Sequence, residues 1–156
     1  LTLPGYRKAD ILRGLIIYSA GDTAASILLH QFSVYRLAGM MITGGFLYSL
    51  EIPAWFRMIN EKYSGTGRTL MAILYFNPLW IARHLALISI YSGQANLISP
   101  AILDIAVKSF IANLPVAFAA NYIIQNKMPL KRRFLSSAVF SSLMAVYYAL
   151  SGVIFK

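Results

Sequence analysis

The stretch that most constrains this chain is residues 36 to 57, RLAGMMITGGFLYSLEIPAWFR, an apolar run held between two arginines. About 20 apolar residues is the length an α-helix needs to cross a hydrocarbon core of roughly 30 Å at about 1.5 Å per residue. The run carries Gly39, Gly44 and Gly45, where a neighbouring helix can come close, and ends in Pro53 and an interfacial pair, Trp55 and Phe56. Its one carboxylate, Glu51, lies inside the apolar span and calls for a partner.

Four further apolar segments of similar length surround it, so the sequence predicts an all-α integral membrane helix bundle of five spans. A polar lead-in, residues 1–11 with Pro4, Gly5, Tyr6, Arg7 and Lys8, suits a membrane surface, and a single transmembrane domain follows over 12–156. The spans fall at about 12–31, 37–56, 69–91, 101–124 and 134–155. The number drops to four if the first part of 101–124 lies in the interface. Gly21 and Ala25 give the first span a small face for packing. NEKYSGTG reads as a turn-rich connector between the second and third spans; its GTGR lacks the spacing and strand context of a phosphate loop. Asn77 and Pro78 near the middle of the third span predict a bend in that helix, Ser99 and Pro100 form a start signal for the fourth, and Pro115 predicts a bend within it. In the fifth, Ser137, Ser141, Ala145 and Ala149 recur every four residues as a packing face.

Charge supports this partition. Only 12% of the residues are charged, about half the usual share for a soluble domain, yet the net charge is +9. Those cations sit in short loops between apolar runs rather than along a hydrophilic face, which argues against nucleic acid. With five crossings, one side receives Arg7, Lys8, Arg13, Arg57, Lys62, Arg68, Lys127, Lys131, Arg132 and Arg133, and the other only Arg36 and Lys156. That bias predicts the amino end on the positive side, the cytosolic or matrix face. There is no cysteine, so no disulfide and no thiol metal site. The chain opens at Leu1 rather than methionine, the pattern of a processed or trimmed sequence.

Several of these motifs, in this order, resemble the Mpv-seventeen family of small peroxisomal and mitochondrial membrane proteins. Arg36, Gly44, Trp55, Phe56, Arg57 and Met58 resemble its second-span signature, and Gly21 with Asp22 its Gly-Asp in the first span. Arg68, Phe76 and Pro78 are similar to its third-span motif. Pro115 and Asn121, then Pro129, Leu130, Lys131 and Arg133, resemble its later motifs, and Tyr147 sits near its Tyr-Leu-Ser. The family's Gly-Pro in the second span falls on Ser49 and Leu50. Polar positions of the family fall here on Ala72, Ile73 and Phe118. The resemblance implies a small-solute channel or pore in the mitochondrial inner membrane, with the peroxisomal membrane as the other location. The apolar replacements point instead to a non-catalytic accessory subunit of a larger mitochondrial complex, such as the respiratory chain or ATP synthase.

The chemically interesting residues are Asp22, Glu51, Arg83, His84, Asp104 and Lys108, because a charge at the bilayer centre costs about 2.5 to 3.5 kcal/mol. They line a polar path for small anions or metabolites, with Arg83 as the attracting charge, or they form buried pairs that fix helix register. Depth and side-chain direction predict that Arg83 pairs with Asp22, with Glu51 as its rival. Lys108 should reach toward the nearer surface, with Asp104 one turn before it. His84 reads as a hydrogen-bonded packing residue; with His30 as the only other histidine, no metal-ligand spacing exists. No nucleophile, base and orienting group assemble, so an enzyme is not expected, nor a cofactor. The implied partners are the lipid bilayer and either other membrane subunits or a second copy. Gly21, Gly44, Gly45, Ser137, Ser141 and Ala145 are the predicted helix-packing positions.

Overall fold

In the computed structural model, residues 7–154 are described, and of these the side chains of Tyr148, Ala149 and 152–154 are not. The described chain is all-α: α1 (Lys8–Leu28), α2 (Val34–Ile42), a π-helical turn (Thr43–Tyr48), α3 (Ser49–Lys62), α4 (Gly65–Tyr75), α5 (Pro78–Tyr91), α6 (Ala101–Lys127) and α7 (Leu130–Ile154), with a short 3-10 turn at Ala95–Leu97. Of the successive helices, α1 and α2, α3 and α4, α5 and α6, and α6 and α7 pack as neighbours. α1 packs on α7 and on the α2–π–α3 run, while α6 covers α4 and α5 and reaches α7.

Three stretches are long and apolar enough to cross a membrane by length and composition: Lys8–Leu28, Gly65–Tyr91 and Ala101–Lys127, counted among the described residues. The expected count of five is therefore reduced. The 36–57 run is helical throughout, as part of α2, the π-turn and α3, which have 9, 6 and 14 residues over 34–62, and it is not among those three stretches. α7 has 25 residues and begins with Lys131, Arg132 and Arg133 in its first turn. Within the apolar window of α6 only 17% is buried, against 39% in α1, so α6 is the outer wall.

Local sequence explains most boundaries. α1 closes in a Schellman arrangement: His30 takes a positive φ of 53°, its N–H donates to the Ile27 carbonyl at 3.0 Å, and Gln31 N–H to Ser26 at 2.7 Å. α5 ends the same way with Gly93 at φ 70°, Gln94 N–H reaching Ser89 at 2.8 Å. The bend predicted at Asn77 and Pro78 is instead a full break between α4 and α5. Asn77 caps α5, its Oδ1 accepting from the N–H of Leu79 at 2.8 Å and of Trp80 at 3.2 Å, and Pro78 takes the first helical position.

Other expectations are corrected. NEKYSGTG is not an open connector: α3 runs to Lys62 and α4 starts at Gly65, leaving Tyr63 and Ser64 between them. Ser99 does not cap α6 with its side chain; Pro100 holds the cap position and the Ser99 carbonyl accepts from Ile102 at 3.0 Å. α6 continues as a helix through Pro115 to Lys127.

Small residues set the helix contacts. Gly21 of α1 rests on Ser142 of α7, and Gly14 meets Gly44 of the π-turn backbone to backbone. Gly45 lies against Leu15, and the ring of Tyr91 covers Gly39. On α7, Ser137, Ala138 and Ala145 are buried and Ser141 half-buried, as a packing face requires; the Ala149 side chain lies outside the described set. The core between these contacts is aromatic and branched: Tyr48, Ile52, Phe56, Ile59, Ile81 and Phe134.

Candidate functional site

Three groups of interior polar side chains form the candidate site, a polar seam. The first is Asp22 with Arg36. Arg36 Nε and Nη2 donate to the two Asp22 carboxylate oxygens at 2.7 and 2.6 Å, and both side chains are almost wholly buried, 3% and 2% exposed. The fork-to-fork geometry is the strongest form of this pair. It also overturns the predicted partner, since Asp22 does not hold Arg83. The 29–33 turn makes α1 and α2 adjacent, so Arg36 near the start of α2 meets Asp22 of α1.

The second group is centred on Glu51. Arg83 Nη1 and Nη2 donate to its two oxygens at 3.0 and 2.7 Å, and the Tyr75 hydroxyl adds a third bond at 2.6 Å. Glu51 comes from α3, Tyr75 from the end of α4 and Arg83 from α5, so one carboxylate ties three helices. The break at Asn77 lets α4 and α5 present Tyr75 and Arg83 to the same point. Unlike the first pair, this one is partly open, with the side chains 38% and 29% exposed for Arg83 and Glu51.

The third group lies beside it. The Tyr48 hydroxyl and His84 Nδ1 are 2.9 Å apart, and the imidazole stacks on Trp80 with centroids 5.5 Å apart and planes 7° from parallel. Arg83 Cζ stands 5.8 Å from the Tyr48 ring centre, a cation–π distance that joins the second and third groups. His84 is thus a hydrogen-bonded, stacked packing residue. The indole Nε1 of Trp80 and Nε of Arg83 are buried without a partner among the described residues.

The remaining predicted positions stand apart. Asp104 and Lys108 pair with each other at 2.7 Å, one turn apart on the outer face of α6, both at least half exposed. No group of three histidine or acidic side chains is placed to hold a metal among the described residues. Arg36 was assigned by its position to a surface loop, and its burial was the main feature sequence reasoning missed. Tyr48 and Tyr75, which hydrogen-bond His84 and Glu51, were not singled out in the sequence either. Asp10 was overlooked too: it is buried and accepts from Arg7 at 2.8 Å and Arg13 at 3.1 Å. The spacing of Arg7, just before α1, with Asp10 and Arg13 at three-residue steps was the signal that could have found it.

Beside the seam, a small cavity of about 20 Å³ lies between Trp80, Asn113, Asn121 and Ser141. That is room for about one water. No family model, curated protein or solved structure matches this chain.

Proposed function

We propose that the chain is an integral membrane protein, built on a scaffold like that of the Mpv-seventeen family and resident in the mitochondrial inner membrane, serving as a non-catalytic subunit of a larger membrane assembly. The observation that carries this reading is how its charges and apolar groups are distributed. Inside, Asp22 and Glu51 are each closed by a two-pronged arginine. Outside, large apolar side chains such as Ile16, Leu79, Ile111, Val116 and Leu143 stand more than half exposed. A surface of that kind needs lipid or protein around it. Charges already neutralised by one another hold helices in place and leave little for a solute to bind. The apolar residues at Ala72, Ile73 and Phe118 point the same way.

A second reading, the small-solute channel, is favoured by one feature: the Glu51–Arg83 pair is partly open and Arg83 Nε is unpartnered. Two measurements separate the readings. Sodium carbonate washing of the membrane fraction followed by native electrophoresis should leave the chain in the pellet and migrating in a large complex. Flux of small anions from liposomes containing the purified chain, abolished by Arg83→Gln, would instead establish the channel and overturn the subunit reading.

A further inference from the structure

At one end of the bundle, the start of α1, the middle of α3 and the start of α7 enclose an open cavity of about 380 Å³. Three cations line it, Arg7, Arg57 and Lys131, one from each element or its edge. Its floor is apolar: Pro53, Phe56, Leu130 and Phe134. Phe56 and Phe134 are 1% and 2% exposed and belong to the core, so the cavity reaches from a basic rim down to the packed interior.

The rim charge is not cancelled locally. Among the described residues, Arg57 and Lys131 have no ion pair. The nearby carboxylate Asp10 is buried under two arginines, Arg7 and Arg13, which leaves that cluster positive. Arg7 is also held in place: its Nε bonds Asp10 at 2.8 Å, and its Nη2 reaches the Lys131 carbonyl at 3.4 Å, so it bridges α1 and α7 across the mouth. A cationic rim pinned at Arg7 above an apolar floor fits one chemistry, an amphiphile with an anionic head.

We propose that this cavity binds an anionic phospholipid, its headgroup phosphate between Arg7, Arg57 and Lys131 and its acyl chain along Pro53, Phe56 and Phe134. Level supports the assignment. Arg57 lies in the second half of α3, ahead of its basic end at Lys62, and Lys131 opens α7, so the rim lies where apolar segments give way to basic loops. Basic pockets between helices at that level are suited to acidic headgroups. The proposal rests on the membrane reading above.

The test uses the purified full chain in zwitterionic detergent micelles, with thermal unfolding followed as phosphatidylglycerol, phosphatidylcholine or inorganic phosphate is added. Phosphatidylglycerol should raise the midpoint in a saturable manner and phosphatidylcholine should not. The double variant Arg57→Gln, Lys131→Gln should weaken apparent affinity about 30-fold, two surface cations' worth. Should that variant fold poorly, Lys131→Gln alone removes an exposed charge and should still cost about 5-fold, while Arg132→Gln, next door but outside the cavity, should cost nothing. Equal stabilisation by phosphatidylcholine, an equal effect of inorganic phosphate, or an Arg132→Gln loss matching Lys131→Gln would overturn the site. The membrane reading fails separately, by release of the chain on carbonate washing.

Discussion

Gly14 and Gly44 meet with no side chain between them: a Cβ on either would run into the other's carbonyl oxygen. The contact lets α1 lie directly on the π-turn, and the obstacle is backbone, which has no rotamer to escape into. Gly44→Val should therefore cost about 3 kcal/mol, the upper part of the range for overpacking. Gly67→Val, where an added Cβ meets only the Tyr63 ring at 3.8 Å, is the control. Equal loss of detergent stability in the two variants would show that the close approach is unimportant.

The Asp22–Arg36 pair makes a sharper claim. Removing either charge leaves the other buried without compensation, so Asp22→Asn and Arg36→Gln should each lower stability by about 3 to 5 kcal/mol. Asp22→Asn combined with Arg36→Gln should recover part of that loss. The cycle is read by chemical denaturation in micelles, and strictly additive losses would refute coupling between the two.

Around Glu51 the two partners are unequal. Tyr75→Phe removes one bond to a carboxylate that keeps both arginine bonds, a cost of about 1.5 kcal/mol. Arg83→Gln removes the only cation and should cost more. Should Tyr75→Phe prove the more damaging change, the carboxylate is being held chiefly by the phenol, and the register role assigned to Arg83 falls.

Two helix ends offer opposite signs. Asn77→Ala takes away the cap that begins α5 and should destabilise by about 1 kcal/mol. His30→Gly relieves a left-handed conformation that costs an L residue about 1 kcal/mol and should stabilise by a similar amount. Melting temperatures of the two variants should move in opposite directions, and a His30→Gly decrease would mean the side chain does more than tolerate its φ.

Much of the fold was legible in the sequence because long apolar runs and their punctuation are local signals. The run placed at 101–124 lies within α6 and the run at 12–31 covers most of α1, while Asn77–Pro78, read as a bend, is a break. Helix packing was legible too, since small residues at four-residue spacing, such as Ser137, Ser141 and Ala145, advertise a contact face. Pairing was not. The partner of Asp22 depends on which helices neighbour each other, and depth counting cannot distinguish Arg36 across a turn from Arg83 across the bundle. The π-turn was also hidden, because the glycines that permit it at 44 and 45 serve close packing equally well in an ordinary helix.

That turn has a further consequence. A π-helical turn amounts to one residue more than an α-helix needs over the same length, so it advances the angular phase of everything that follows by about 100°. Tyr48, Glu51, Ile52 and Phe56 point where they do because of that offset. Deleting a single residue between 43 and 47 would restore an unbroken α-helix and swing Glu51 off Arg83 and Phe56 out of the core. The same deletion two turns downstream, beyond Phe56, would leave them in place. A stretch whose amino acids read as an uninterrupted apolar rod thus behaves as two rods clocked against each other, and their relative angle is recorded in one surplus residue.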